Sequence, residues 1–230
     1  MPSKSLAFEC VEVAIPAGEA VVRGLLSVAE GVRGVVVFAH GSGSGQHSPR
    51  NQYIARQLES SGFATLLVDL LDREETFEQD HVFDIPLLAD RVRRVAEWTA
   101  ASPLTAGLPR GAFGASTGAA AALVAAAERP ELFEAVVSRG GRPDLAQDAL
   151  GQVGTPTLLI VGGDDDPVLR LNRWAARQLR CPRELVILPG VTHLFPEPGA
   201  LDRVAHLAQL WFERHLPVAV GAVLAPLGAD

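Results

Sequence analysis

Six short runs of this chain, Gly34–Ala39, Ala64–Val68, Arg110–Ala115, Glu134–Ser138, Thr157–Val161 and Glu184–Leu188, are apolar through their middles. A strand with one wet face alternates apolar and polar residues. A strand without that alternation is covered on both faces, as in a parallel sheet. Helical patterns separate the runs: Asn51–Ser61 closed by Gly62, Asp84–Ala101, Gly118–Ala127, Pro167 to about Arg180, and Leu201–His215. In the second of these, Leu87, Leu88, Val92 and Val95 recur on one face. Two further strands, Phe8–Ile15 and Glu19–Val28, open the chain. This alternation predicts an α/β architecture: about eight mostly parallel strands with helices on both faces. The 230 residues contain no linker and read as a single domain, 1–230, ending in an apolar tail at 217–230. The tail is expected to pack on the domain or on a second subunit. The connection Arg139–Pro156 has room for a turn and a short helix only, so no lid domain is expected.

Open parallel sheets bind ligands in loops beyond the carboxyl ends of their strands. The most informative of these loops is Gly114-Ala115-Ser116-Thr117-Gly118. It fits Gly-x-Ser-x-Gly between a buried strand and an Ala-rich helix, the setting that holds a serine hydroxyl clear of the backbone. A serine hydroxyl is a weak nucleophile until a base takes its proton. The base in turn needs an acid to fix its tautomer. Two later strands end in candidates: Asp164-Asp165-Asp166 after Val161-Gly162-Gly163, and His193 after Leu188-Pro189-Gly190-Val191-Thr192. Asp166 precedes Pro167 and reads as the helix N-cap, and Asp164 as a turn residue. Asp165 is therefore the expected acid and His193 the expected base, in the chain order nucleophile, acid, base. His81, His206 and His215 read as surface or packing residues, and His47 belongs to a polar loop.

An acyl-transfer site also needs backbone N–H groups aimed at the developing negative charge. The amide of Thr117, directly after Ser116, is one expected donor. The amide of Ser42, in His40-Gly41-Ser42-Gly43-Ser44-Gly45, is the other. That loop lacks the Lys-Ser/Thr ending of a phosphate-binding loop and the spacing of a dinucleotide fingerprint. His40 is expected to brace the loop and take no part in chemistry.

With these motifs together, the chain resembles an α/β-hydrolase of the dienelactone hydrolase-like group, over nearly its whole length. The resemblance rests on the loop at 40–45, on Phe113–Ala119, on Gly162–Asp165 and on Gly190–His193. It implies the α/β-hydrolase fold and an acyl-enzyme mechanism without cofactor or metal. Dienelactone hydrolases proper use a cysteine nucleophile, whereas serine stands here, which favours general ester hydrolysis over lactone opening. Serine in place of aspartate also speaks against haloalkane dehalogenase or epoxide hydrolase chemistry.

A net charge of −7 argues against nucleic acid and anionic membrane surfaces as partners. Cys10 and Cys181 have no metal-like spacing and are expected to be buried or half-buried thiols. The N-terminus lacks the core of a signal peptide, and no apolar run approaches a membrane span. The expectation is a cytoplasmic monomer or homodimer acting on a small or short-acyl ester. Leu71 and Phe195 are expected to line the substrate pocket. Arg139 is expected to form a structural salt bridge or to orient a polar group of the substrate. The loop Leu70–Phe83 is the expected mobile wall. Acyl transfer, thioester, amide or lactone cleavage on the same triad, and a non-catalytic binding module, are the competing readings.

Overall fold

The computed structural model describes residues 6–72, 75 and 81–217. The tail beyond 217 and half of the expected mobile wall, residues 73–74 and 76–80, lie outside the described residues. The chain runs β1 (Glu9–Ala17), β2 (Ala20–Val28), β3 (Val35–Ala39), α1 (Pro49–Ser60), β4 (Ala64–Val68), α2 (Ile85–Ala101), β5 (Arg110–Ala115) and α3 (Thr117–Glu128). It continues through β6 (Ala135–Arg139), β7 (Thr157–Gly162), α4 (Asp166–Gln178), β8 (Arg183–Leu188) and α5 (Ala200–His215).

The eight strands form one sheet in the order β1-β2-β4-β3-β5-β6-β7-β8. β1 and β2 pair as a hairpin, with Gly18 at φ 78° in its turn, and β2 runs antiparallel to β4. The remaining pairings, from β4–β3 across to β7–β8, are parallel. This is the α/β-hydrolase architecture expected from the sequence.

Each buried strand divides its side chains between two cores. Val35, Val37 and Ala39 pack into the cluster that holds Leu88, Val92 and Val95 of α2 and most of α3. Val36 and Phe38 pack into the opposite cluster, with Ile54 and Leu58 of α1 and Val204, Ala208 and Phe212 of α5. Alternation is therefore present in direction and hidden in polarity, which is what coverage on both faces produces. The alanines of α3 let it lie close to the sheet, and it is buried along nearly its whole length.

Strand order reverses around β3. The chain leaves β3 for β4 on one side and reaches β5 on the other. Loops 40–48 and 115–117 therefore meet at the switch point, where a crevice opens beyond the strand ends. The β6–β7 connection holds only the 3₁₀ segment Pro143–Gln152, packed against α3 and α4, and so no lid domain.

Two expectations need correction. Cys10 is exposed on β1, the edge strand, and only Cys181 is buried. The α4 N-cap is Asp165, with Asp166 as the first helical residue, so Asp166 is not the cap that its Pro neighbour suggests.

Candidate active site

Ser116 stands at the junction of β5 and α3 with φ 50° and ψ −123°. A non-glycine residue in this region carries backbone strain, which persists only where the surroundings over-determine it. The surroundings here are explicit. The Ser116 carbonyl accepts from the amides of Ala119 at 3.1 Å and Arg142 at 3.0 Å. A Cβ at Gly114 would stand 2.4 Å from the Ala119 Cα, and one at Gly118 would stand 2.2 Å from the Ala39 carbonyl oxygen. A Cβ at Gly41 would stand 2.6 Å from the Ser116 Cβ. The glycines are thus required because three stretches of backbone touch behind the serine.

The acid and base loops close on each other in the same way. A Cβ at Gly162 would stand 2.2 Å from the Val191 carbonyl oxygen, and the Asp164 amide donates to that oxygen at 3.0 Å. Asp165 occupies the cap position of α4, yet its carboxylate makes no cap hydrogen bond. It turns to His193 instead, with Nδ1 and Oδ2 2.6 Å apart. The carboxylate is nearly enclosed at 10% exposure, while the imidazole is 40% exposed. Such a contact fixes Nδ1 as the protonated nitrogen and leaves Nε2 as the acceptor. His193 lies across Gly140 from the elbow: a Cβ at Gly140 would stand 3.8 Å from His193 Nδ1, and Gly140 follows Arg139, the residue paired with Ala115. In this conformation His193 makes no hydrogen bond to Ser116.

The loop after β3 is held by side chains. His40 donates through Nδ1 to the Gly41 carbonyl at 2.9 Å and accepts through Nε2 from the Leu70 amide at 2.9 Å. Both nitrogens are thereby used in bracing. Asp69 accepts from the Gln46 backbone amide at 2.7 Å and from its side-chain amide at 2.9 Å. Burial pushes the His40 imidazole below its ordinary value of 6.5, against smaller opposing pulls from the Gly41 carbonyl and Asp69. The folded protein thus holds this ring neutral, while the unfolded chain takes up a proton as pH falls below about 6.5. The contribution is fully present above that pH and is lost progressively below it. The expected result is that stability between pH 6.5 and 5 falls more steeply in the wild type than in His40→Gln, measured by urea unfolding. Equal slopes would exclude this role.

Thr117, at the start of α3, is buried, and its backbone amide has no acceptor within the helix or from another described residue. The Ser42 amide donates to the Thr117 hydroxyl at 3.2 Å. Both expected oxyanion donors therefore lie at one place, and one of them is engaged by a side chain that the sequence reading did not consider. Three more supports went unnoticed in the sequence. Glu197 accepts from the Thr192 amide at 3.0 Å and from its hydroxyl at 2.6 Å, which sets the loop before His193. Asn172, fully buried, donates to the Gly141 carbonyl at 3.0 Å. The Arg142 amide anchors the elbow as described above.

A cavity of about 450 Å³ opens beside this loop, lined by Gly41, Ser42, Thr117, Leu71, Val82 and Leu88 among others. Its wall includes none of Ser116, Asp165 and His193; it reaches the elbow only at Thr117, from the oxyanion-loop side. Leu71 lines it. Phe195 does not: it is 1% exposed, at φ 58°, and its ring lies beneath the Arg139 guanidinium, 5.5 Å away. Arg139 departs more sharply from the expected salt bridge, for it is buried and forms no salt bridge with any described residue.

The geometry can be set beside known proteins. Residues 22–216 match the model of the "Dienelactone hydrolase family". A crystal structure of dienelactone hydrolase from Anabaena variabilis superposes with a TM-score of 0.89 at 52% identity, covering 91% of this chain and 99% of that one. Est1E from Butyrivibrio proteoclasticus shares the fold at a TM-score of 0.75 and 14% identity, covering 88% of this chain and 98% of that one. Two Mycobacterium tuberculosis proteins, from strains CDC 1551 and H37Rv and provisionally named phosphoribosyl transferase, are 58% identical over 205 residues. That match takes in 89% of this chain but 46% of theirs, so the chain spans about half the length of these curated relatives. Matched over most of its length by sequence and by structure, the chain belongs to the dienelactone hydrolase family.

Proposed function

We propose that this protein is a serine hydrolase that cleaves small or short-acyl carboxylic esters through an acyl-enzyme. The observation that carries this reading is the 2.6 Å contact of His193 Nδ1 with Asp165, in the loops beside a strained Ser116. His193 Nε2 takes the proton of Ser116 as Oγ attacks the ester carbonyl. Asp165 holds the ring in the required tautomer and stabilises the imidazolium. The negative charge forming on the carbonyl oxygen is met by the Thr117 amide at the N-terminus of α3 and by the Ser42 amide. For this the Ser42 amide exchanges the Thr117 hydroxyl for the substrate oxygen. Protonated His193 then gives its proton to the leaving alkoxide, and a water activated by the same ring releases the acid.

The cavity offers the acyl group the aliphatic side chains of Val21, Leu71, Val82 and Leu88, in a wall that also carries Arg23, Asp69 and Asp72. No described helix is long and apolar enough to cross a membrane, and the substrate is proposed to be a small molecule free in solution. The relatives' provisional name describes proteins about twice as long, and the hydrolase geometry of this chain lends phosphoribosyl transfer no support. The test is hydrolysis of a panel of 4-nitrophenyl esters of increasing acyl length. Acetate and butyrate should turn over with kcat/KM falling for long chains. A panel with no Ser116-dependent turnover would overturn the reading.

A further inference from the structure

Thr117 carries a buried hydroxyl with no structural task in the fold. It is the first residue of α3 and is 1% exposed. A hydroxyl caps a helix from the residue before the first turn, and that place belongs to Ser116. Burying a hydroxyl is costly unless it is hydrogen-bonded, and valine would fill the same space without that cost. Among the described residues the Thr117 hydroxyl has one partner, the Ser42 amide at 3.2 Å.

That partner is one of the two amides assigned above to the developing oxyanion, and the other is the amide of Thr117 itself. The backbone just before Ser42 lies against the nucleophile: a Cβ at Gly41 would stand 3.4 Å from Ser116 Oγ. Thr117 also reaches the wall of the cavity, next to Gly41 and Ser42. The hydroxyl is thus held beside one oxyanion donor, on the residue that carries the other and that directly follows the nucleophile. A hydroxyl can accept and donate at once, and its proton turns to suit. Here the oxygen accepts from Ser42, and no described residue takes the proton. Its place at the N-terminus of α3 favours negative charge nearby.

We propose that the Thr117 hydroxyl is a third donor to the oxyanion, so that this residue is catalytic through its side chain as well as its amide. This deepens the ester-hydrolase reading and rests on it. In the resting protein the hydroxyl satisfies the Ser42 amide and holds it in place. As the ester carbonyl oxygen gains charge, that amide turns to the substrate and the hydroxyl donates to the same oxygen. The hydroxyl proton stays on Thr117 throughout, and only hydrogen bonds are exchanged. Such a bond is stronger to an oxyanion than to a neutral carbonyl, so its loss should fall on kcat and spare KM.

The test uses 4-nitrophenyl butyrate and 1,1,1-trifluoro-2-hexanone, a ketone whose adduct with a serine carries an oxyanion. Thr117→Val removes the hydroxyl and keeps the shape. Its kcat should fall roughly 10- to 100-fold, with KM changed by no more than about twofold. Inhibition by the ketone should weaken by a similar factor. Thr117→Ser keeps the hydroxyl and should retain most of both. Turnover and inhibition unchanged in Thr117→Val overturn the third donor, and so does a change confined to KM. Faster turnover overturns it too, because the hydroxyl would then be a plug on the Ser42 amide. An equal loss in Thr117→Ser overturns it by making the effect one of packing. Where Thr117→Val fails to fold, Thr117→Ala is read against Thr117→Ser in the same way. A wild type without Ser116-dependent turnover overturns the hydrolase reading and the third donor with it. Each of the other outcomes leaves the hydrolase reading intact.

Discussion

Ser116→Ala is expected to lower turnover of 4-nitrophenyl butyrate by about 10⁴- to 10⁶-fold while leaving the fold intact. The fold should survive because the hydroxyl makes no hydrogen bond in the resting structure and caps no helix. The elbow is held by the Ser116 carbonyl and by the glycines behind it, none of which the substitution touches. Alanine meets the same φ of 50° with the same Cβ, so no new strain is introduced. What remains should be the residual rate supplied by the two amides and by binding alone. Stopped-flow assays should also show loss of any acyl-enzyme burst. Turnover retained within tenfold would remove Ser116 from the mechanism.

Asp165→Asn should cost turnover about 10³- to 10⁴-fold, for a different reason. The carboxylate at 2.6 Å from Nδ1 accepts that nitrogen's proton. A carboxamide can present its N–H₂ to Nδ1 instead, which places the ring proton on Nε2 and removes the base. The substitution is close to isosteric, and Asp165 caps nothing, so stability should change little. Asp164→Asn and Asp166→Asn serve as controls. Asp164 acts through its backbone amide, and Asp166 lies in the first turn of α4, where its charge favours the helix by a few tenths of a kcal/mol. Thermal unfolding run beside the kinetics separates the two kinds of loss. Asp164→Asn emerging as the most damaging of the three would place the acid one residue earlier.

How much of this was legible in the sequence follows from the range of the interactions. The layered sheet was readable because its signal is local. Runs such as Val35–Ala39 are apolar on both alternating faces, and only a doubly covered strand needs that. The elbow was readable because its glycines are neighbours of Ser116 in sequence, though the close contacts that require them are with Ala39 and Ala119. The choice of Asp165 among three aspartates was made by elimination, and one step of that elimination, the cap assignment to Asp166, failed. Asp-Pro fits a cap at Asp166, but the helix starts one residue earlier, and the Asp165 carboxylate at the cap position meets His193, 28 positions away, in place of the helix amides.

The rest is long-range and left no local mark. The Ser42–Thr117 bond spans 75 positions and depends on how β3 and β5 lie side by side. Phe195 looked like an exposed lining residue beside Leu194, but its left-handed backbone turns the ring inward under Arg139. Arg139 itself was expected to find a carboxylate, as buried arginines do. No sequence pattern announces that its guanidinium lies over the Phe195 ring instead.

The central claim is that Ser116 is the nucleophile, activated by His193. A fluorophosphonate reacts only with such a serine, and the adduct stays on the attacked oxygen. Intact-mass and peptide mass spectrometry of the treated protein is the most direct measurement. The account predicts a single phosphonyl adduct on the peptide containing Ser116, absent from Ser116→Ala and slowed by orders of magnitude in His193→Ala. An adduct on another residue, or no adduct on a folded protein that still hydrolyses esters, would contradict it.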